Sequence, residues 1–145
     1  MTAALQAETA HELRTSVMRL ARRLRHERRA HGLGLTKVTF LGHLDRSGPA
    51  TTSELAAVEG IAQQSAARAV ADLVDAGLVI REPDPRDGRQ VLLRVSQAGR
   101  ELLESDRARR DAWLATAMAE RLTDVERDLL ALAGRLLDRL AAEPE

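Results

Sequence analysis

The side chains with the most chemistry to offer stand at the start of one predicted helix: Gln63, Gln64, Ser65 and Arg68. A glutamine can pair bidentately with adenine and an arginine with guanine, and each such pair discriminates against other bases by about 1–3 kcal/mol. Positions 64 and 68 share one helix face, while the neighbouring apolar residues turn toward the core. The spacing favours a helix that contacts bases in the DNA major groove. The simpler interpretation is a solvated helix face.

A second group of donors lies in the segment AspProArgAspGlyArg at 84–89. Apolar, β-branched runs at 78–80 and 91–95 flank this segment, which is a strong hairpin signal. Its two arginines, Arg86 and Arg89, could reach the DNA backbone or minor groove, although a hairpin tip without a ligand would also be polar. Predicted helix starts could donate hydrogen bonds to phosphates, and the candidates there are Thr36, Thr51 and Ser53.

The order of elements around these residues describes a winged helix-turn-helix. Thr51 and Glu54 match a capping box, and the short helix that they open, through Val58, should bury Leu55 and Val58. After a glycine turn, the next helix spans residues 62–76 and directs its apolar side chains to the core: Ala66, Ala69, Val70, Leu73 and Val74. This arrangement offers one helix to the major groove and a loop to the backbone beside it.

Composition is typical of one globular domain, with 145 residues, 44% of them apolar and 30% charged. The absence of cysteine excludes disulfides and thiolate metal sites. No stretch approaches the roughly 18 uninterrupted apolar residues of a membrane span, and the N-terminus lacks a secretion signal, so we expect a cytoplasmic protein. Net charge is zero, but residues 1–37 hold eight basic and three acidic side chains. Every basic residue except Lys37 is arginine, whose forked donors suit phosphates and guanine edges.

Two helices are predicted before the capping box at Thr51. The first spans residues 5–31 and stops at HisGlyLeuGly, 31–34, because glycine readily adopts the left-handed geometry beyond a helix end. The second begins with Thr36 as its cap and ends at ArgSerGlyPro, 46–49.

Two further helices are predicted after the hairpin. Ser96 caps one that runs to about residue 120, and its middle, 105–111, is so poor in apolar residues that it should face solvent or a cavity. Thr123 and Glu126 form a second capping box. The last helix repeats apolar residues at nearly heptad spacing: Leu122, Val125, Leu129, Leu132, Leu136 and Leu140. Such a seam favours a partner helix in a symmetric dimer, and packing within one chain is the alternative.

Four segments, in order along the chain, resemble the MarR family of bacterial transcription regulators: ThrSerGluLeuAla at 52–56, Arg68 through AspAlaGlyLeuVal at 75–79, AspProArgAspGlyArg at 84–89 and SerGlnAlaGlyArg at 96–100. The resemblance covers nearly the whole chain, and the hexapeptide at 84–89 is its most specific part. One departure is the start of the predicted recognition helix. The family often has a capping serine followed by proline where this chain has Ala62 and Gln63.

The resemblance implies a mainly α fold with a small β-hairpin wing. Residues 36–95 would form the winged helix-turn-helix of one domain, 1–145, whose end segments, 5–34 and 97–141, would form a dimerisation region. A homodimer would bind a pseudo-palindromic operator in double-stranded DNA and repress transcription until a small-molecule effector releases it.

The same resemblance assigns roles to individual residues. The first wing arginine, Arg86, would reach the minor groove, with Asp84 orienting the loop through a salt bridge. The effector would sit between the first, second and fifth helices. An anionic aromatic or lipophilic acid suits the candidate lining residues there: Arg22, His26, His43, Arg109 and Trp113. Each of these five also has a simpler role, on a solvated face or in the core.

Other functions fit the residues less well. An enzyme is not expected, because the four histidines show no metal-ligand spacing and no nucleophile motif occurs, and no cofactor is expected either. A metal sensor could use His11 with Glu8 or Glu12. A winged-helix adaptor that binds protein rather than DNA is the main competitor, although an adaptor has no need of two arginines at its wing. A constitutive DNA-binding protein without an effector is the remaining alternative.

Overall fold

A computed structural model describes residues 3–27 and 32–142 of the chain. Within those residues it has six α-helices and one antiparallel hairpin, which confirms the mainly α fold with a β wing. Residues 28–31, the end of the predicted first helix, lie outside the described residues. The elements in chain order are α1 (Ala3–His26), α2 (Leu35–Ser47), α3 (Thr52–Glu59), α4 (Gln63–Asp75), β1 (Val79–Pro83), β2 (Val91–Val95), α5 (Gln97–Arg121) and α6 (Asp124–Ala141).

Hydrogen-bonded caps fix where three of the helices begin. The Thr51 amide donates to Oε2 of Glu54 at 2.6 Å, and the Glu54 amide donates to Oγ1 of Thr51 at 3.2 Å, so the predicted capping box of α3 is present. Thr123 and Glu126 form the same box at α6, where hydrogen bonds from the Thr123 amide and then its hydroxyl lower the pKa of Glu126. Ser96 caps α5 as predicted.

Two other helices begin without a side-chain cap. The N-cap residue of α2 is Gly34 and the helix starts at Leu35, so the prediction that Thr36 caps this helix is wrong. Thr36 already lies inside the first turn, past the position from which a hydroxyl reaches the free amides of that turn. Ala62 occupies the N-cap of α4 and likewise offers no side-chain acceptor.

The core lies where α2, α3, α4 and the hairpin meet. Its largest fully buried side chains are Phe40, Leu41, Leu55, Val70, Leu73 and Leu93. Val58 was predicted to be buried but is 53% exposed, while Ala56 is buried beside Leu55. Successive helix residues are about 100° apart, so a core direction midway between Leu55 and Ala56 leaves Val58 about 110° away from it. The apolar face of α4 is as predicted, with Val74 only partly buried.

The hairpin joins this core through its base. β1 and β2 pair antiparallel with Val79 opposite Val95, and both of these side chains are buried. The segment before α3 adds an isolated bridge, in which Ala50 and Leu93 exchange backbone hydrogen bonds of 3.1 and 2.8 Å. The hairpin is therefore held by the same core that orients α3 and α4.

The start of α5 is locked onto the turn between α4 and β1. The hydroxyl of Ser96 donates to the carbonyl oxygen of Gly77 at 2.6 Å and accepts from the Gly99 amide at 3.0 Å. The Ser96 amide donates to the carbonyl oxygen of Leu78 at 2.9 Å. A Cβ at Gly99 would lie 2.4 Å from that Leu78 oxygen, so only glycine allows this close approach.

The middle of α5, residues 105–111, is mostly exposed, but the prediction that it faces solvent or a cavity is wrong at Asp106. That side chain is 1% exposed and forms an ion pair of 3.1 Å with Arg110. Asp106 lies three residues after the buried Leu103 and therefore on the same inward face of the helix.

The apolar seam predicted on the last helix is uncovered in the single chain. α6 has no buried residue. Its exposed seam, called here the α6 seam, consists of Val125, Leu129, Leu132, Leu136 and Leu140. On α1 the apolar side chains of Leu13, Val17, Met18 and Leu20 are exposed as well. Across the described ranges, none of the helices has the length and apolar character that spanning a membrane requires.

Candidate nucleic-acid interface

The polar residues at the start of α4 share one exposed surface. α3 is followed by its C-cap Gly60, whose φ of 65° lies in the left-handed region that favours glycine. The chain turns there and α4 begins after Ala62. Burial of the apolar face of α4 fixes its rotation about its own axis. The predicted base-reading side chains are consequently left exposed: Gln63, Gln64, Ser65 and Arg68.

A cleft of about 630 Å³ separates the first turn of α2 from α4, and we call it the α2–α4 cleft. Thr36 and Lys37 contribute to one side, and Gln64, Ser65, Arg68 and Asp72 to the other. Nζ of Lys37 lies 2.6 Å from Oδ2 of Asp72, which ties the two helices together. The predicted phosphate donor Thr36 thus lies in the same cleft as three of the four predicted base-reading residues.

Gln63 and Gln64 are adjacent in sequence but engage different neighbours. Gln64 lines the α2–α4 cleft, whereas Nε2 of Gln63 donates to Oγ of Ser53 on α3 at 2.6 Å. Ser53 was predicted as a phosphate donor and lies exposed in the first turn of α3. The Thr51 hydroxyl, the third predicted phosphate donor, already donates to Glu54 at 3.1 Å within the capping box.

The wing tip, residues 84–89, is organised by two aspartates that accept hydrogen bonds from backbone amides. Oδ1 of Asp84 accepts from the amide of Arg86 at 2.8 Å, and Oδ1 of Asp87 accepts from the amide of Arg89 at 3.1 Å. Such Asx turns stabilise a tight loop without help from another element. Asp84 therefore orients the loop through the Arg86 backbone; among the ion pairs of the described residues, none involves Asp84, contrary to the salt bridge expected. Both arginine side chains are exposed.

The five residues predicted to line a ligand site lie on α1, α2 and α5. Arg22, His26 and Arg109 are exposed, and His43 and Trp113 are half-buried on α2 and α5. The guanidinium of Arg23 stacks over the Trp113 ring, 4.6 Å from its centroid, so this ring has a cation–π partner on α1.

A cleft of about 370 Å³ lies between α2 and α5, two of the three helices expected to enclose the ligand, and is called here the α2–α5 cleft. Three arginines line it, Arg46, Arg107 and Arg110, and Oδ2 of Asp45 holds Arg107 at 2.8 Å. None of the five predicted ligand residues lines this cleft. The signal available in the sequence was helical spacing, because Arg107 and Arg110 lie four and seven positions after Leu103 and so share its face.

The metal-sensor alternative has no cluster of ligands to support it. Glu8, His11 and Glu12 are exposed on α1. Counting only residues with described placement, no three histidine, aspartate or glutamate side chains come together in a way that could hold a metal ion.

Comparisons with known proteins agree with this geometry. A model of the MarR family matches residues 31–90, which include the α2–α4 cleft, α3, α4 and the wing tip. An HTH-type transcriptional regulator from Mycobacterium bovis is 39% identical over 137 residues, which cover 94% of this chain and 95% of that protein. The chain belongs to the MarR family.

Solved structures share the fold of this MarR-family protein. A transcriptional regulator from Pseudomonas aeruginosa superposes with a TM-score of 0.86 at 38% identity, covering 99% of this chain and all of the other. A MepR mutant from S. aureus, solved bound to an oligodeoxyribonucleotide, has a TM-score of 0.68 at 16% identity over 91% of this chain and 97% of its own; at that identity the likeness shows the fold alone. The MarR-family protein is a transcriptional regulator with a DNA-binding helix-turn-helix fold, and these relatives are regulators rather than enzymes.

Proposed function

We propose that this MarR-family protein binds a pseudo-palindromic operator in double-stranded DNA as a homodimer and represses transcription until an anionic ligand releases it. The observation that carries the proposal is the joint exposure of Gln64, Ser65 and Arg68 on α4, with a wing tipped by Arg86 and Arg89. In this arrangement α4 enters the major groove, and the wing reaches the adjoining backbone or minor groove.

The exposed residues divide into two kinds of contact. Base edges are read by side chains at the start of α4, Gln63, Gln64, Ser65 and Arg68, because amide and guanidinium groups match the patterns of adenine and guanine. Phosphates are held by residues in the first turns of α2 and α3 and by the wing tip, and these contacts position the protein without specifying sequence: Thr36, Thr51, Ser53, Arg86 and Arg89. Asp84 supports the wing tip through its hydrogen bond to the Arg86 amide.

The dimer is supported by the apolar surfaces that the single chain leaves exposed. Residues 5–34 and 97–141 form the dimerisation region in this proposal, and residues 36–95 form the DNA-reading region of the one domain, 1–145. The α6 seam has the near-heptad spacing at which a partner helix buries every member. A two-fold dimer then places two copies of α4 about 34 Å apart, one turn of DNA, which matches a pseudo-palindromic operator.

Sedimentation velocity tests the dimer. Leu136→Glu, in the α6 seam, should give a monomer, because a charge cannot be buried there without a partner. Val58→Glu is the matched control, since Val58 is 53% exposed on α3 and Leu136 is 48% exposed on α6. A monomeric wild-type protein at micromolar concentration would contradict the dimer, as would a dimer unaffected by Leu136→Glu.

DNA binding is tested by selecting bound duplexes from a randomised library and titrating the selected sequence by fluorescence anisotropy. We expect an enriched site with two-fold symmetry, and weaker binding as salt increases because phosphate contacts release counterions. Failure to retain any duplex at low salt would favour the adaptor that binds protein instead.

The ligand is proposed to enter the α2–α5 cleft. Of the three arginines that line this cleft, Arg107 and Arg110 are paired with Asp45 and Asp106, so Arg46 provides its net positive charge. Guanidinium groups bind carboxylates through paired hydrogen bonds. α2 belongs to the DNA-reading region and α5 to the dimerisation region. A molecule bound between them therefore changes the distance between the two copies of α4 in the dimer. The five residues predicted from the sequence for this role remain predictions.

Calorimetry with benzoate, an aromatic carboxylate, tests the ligand proposal with and without the selected operator. If benzoate releases DNA, each molecule must weaken binding of the other by the same factor, and a useful effect needs about 1–3 kcal/mol of coupling. Arg46→Ala should remove the coupling and leave operator affinity unchanged in the absence of benzoate. If benzoate binds with the same affinity in the presence and absence of DNA, the protein binds DNA constitutively with respect to aromatic carboxylates.

A further inference from the structure

Ser53 and Gln63 connect the first turns of the two helices of the helix-turn-helix. Nε2 of Gln63 donates to Oγ of Ser53 at 2.6 Å, across ten positions of sequence. Both residues are exposed on the surface where α4 begins. A long, exposed glutamine ordinarily samples many rotamers, so a short hydrogen bond to a neighbouring helix restricts it to few.

Ser53 is a fixed anchor because its own helix start is fixed. Thr51, two positions before it, and Glu54, one position after it, form the capping box of α3, with bonds of 2.6 and 3.2 Å. The capping bonds make no use of the Ser53 hydroxyl. Its oxygen is consequently available to accept from Gln63.

The hydrogen bond leaves both residues with the groups that DNA recognition needs. An amide nitrogen carries two hydrogens, so Gln63 keeps one N–H donor as well as its carbonyl oxygen. These are the donor and the acceptor with which a glutamine pairs with adenine. A hydroxyl that accepts still holds its own hydrogen, so Ser53 keeps one donor for a phosphate. α4 itself has no side-chain cap at Ala62, so Ser53 is the residue that ties the first side chain of α4 to the rest of the fold.

We propose that Ser53 is a positioning residue for sequence recognition, and that its hydroxyl holds the Gln63 amide in the orientation that reads one base pair of the operator. This inference rests on the proposed DNA binding. It assigns Ser53 a part in sequence preference, whereas a residue that contacts only phosphate affects all sequences alike.

The test is a comparison of base preference among variants. The wild-type protein first selects its site from a randomised duplex library, and each base pair of that site is then substituted singly and titrated by anisotropy. Gln63→Ala should lose discrimination at one base pair of each half-site by about 5- to 100-fold. Ser53→Ala should lose discrimination at that same base pair by about 2- to 10-fold, the cost of ordering a long side chain on binding.

Three further variants separate positioning from simple loss of structure. Ser53→Thr keeps a hydroxyl and should restore the preference, whereas Ser105→Ala removes an exposed serine on α5 and should leave it unchanged. Adding Ser53→Ala to Gln63→Ala should change discrimination by less than about twofold, because the two residues act through one contact.

Uniform weakening on every sequence by Ser53→Ala would overturn the inference and leave Ser53 as a phosphate contact only. Additive losses in the double variant would overturn it as well. These results are distinct from failure of the proposed function, in which the wild-type protein itself selects no sequence.

Discussion

The ammonium of Lys37 and the carboxylate of Asp72 lie 2.6 Å apart and join α2 to α4 along the cleft that also holds Gln64 and Arg68. Lys37 is the one lysine in a chain whose other basic residues are all arginine. The pair is partly exposed, so its contribution to the free energy of unfolding is at most about 1 kcal/mol. Its larger consequence is electrostatic, because Lys37 neutralises a carboxylate on the surface proposed to face phosphates.

Lys37→Met should weaken operator binding about fivefold, the effect of roughly 1 kcal/mol from one uncompensated charge in a solvent-screened site. Asp72→Asn should not weaken it, and the double variant Lys37→Met with Asp72→Asn should bind nearly as well as the wild type. Anisotropy titrations at one salt concentration measure all four proteins. A double variant as weak as Lys37→Met alone would show that Lys37 contacts DNA directly instead of neutralising Asp72.

Arg86→Ala should weaken binding to all duplexes about tenfold and reduce the slope of log affinity against log salt by about 1, as expected for the loss of one phosphate contact. Arg121→Ala is the matched control, because it removes an exposed arginine at the far end of α5. Asp84→Ala should have a smaller effect, since it loosens the Arg86 backbone without removing the charge. Equal salt slopes for Arg86→Ala and the wild type would exclude the wing contact.

Gly99→Ala should lower the free energy of unfolding by about 1–3 kcal/mol, even though alanine is the better helix former. Its Cβ would lie 2.4 Å from the Leu78 carbonyl oxygen and 2.8 Å from Cγ2 of Val95. Gly88→Ala adds the same atom at the wing tip, where nothing lies within 4 Å, and should cost far less. Urea unfolding of both variants measures the difference, and equal stabilities would contradict the close approach of α5 to β1.

Ala62→Ser should raise the free energy of unfolding by about 0.5–2 kcal/mol, because a serine at the N-cap accepts from a free amide of the first turn of α4. Ala62 has φ of −62° and ψ of 142°, which is the extended geometry that a capping residue needs. Thr51→Ala should shift stability in the opposite direction, since it removes the capping box of α3. An unchanged midpoint in thermal unfolding of Ala62→Ser would mean that α4 begins at a different residue.

Local patterns predicted most elements because their causes are local. The capping boxes at Thr51 and Thr123 and the cap at Ser96 are confirmed, since each involves residues only three positions apart. The hairpin between β1 and β2 is confirmed as well. The prediction that Thr36 caps α2 is wrong because the N-cap is the residue just before helical geometry begins. In α2 helical geometry begins at Leu35, so Gly34 is the N-cap.

Burial was harder to predict where a helix is short or its polar residues turn inward. Val58 is exposed because the core fixes α3 between Leu55 and Ala56, and eight residues carry too little periodicity to reveal that direction. Asp106 is buried although its neighbours are charged, because Leu103 sets the inward face of α5. Composition alone gives no sign of either result.

The sequence by itself determined the helix-turn-helix with its wing, the exposed residues at the start of α4 and the uncovered α6 seam, because periodicity and capping depend on spacing along the chain. Only the tertiary structure decided which residues far apart in the sequence come into contact. The bond from Gln63 to Ser53, the ion pair of Lys37 with Asp72 and the approach of Gly99 to Leu78 each join segments whose relative placement depends on core packing. Packing fixes that placement through long-range contacts, which spacing along one chain does not encode.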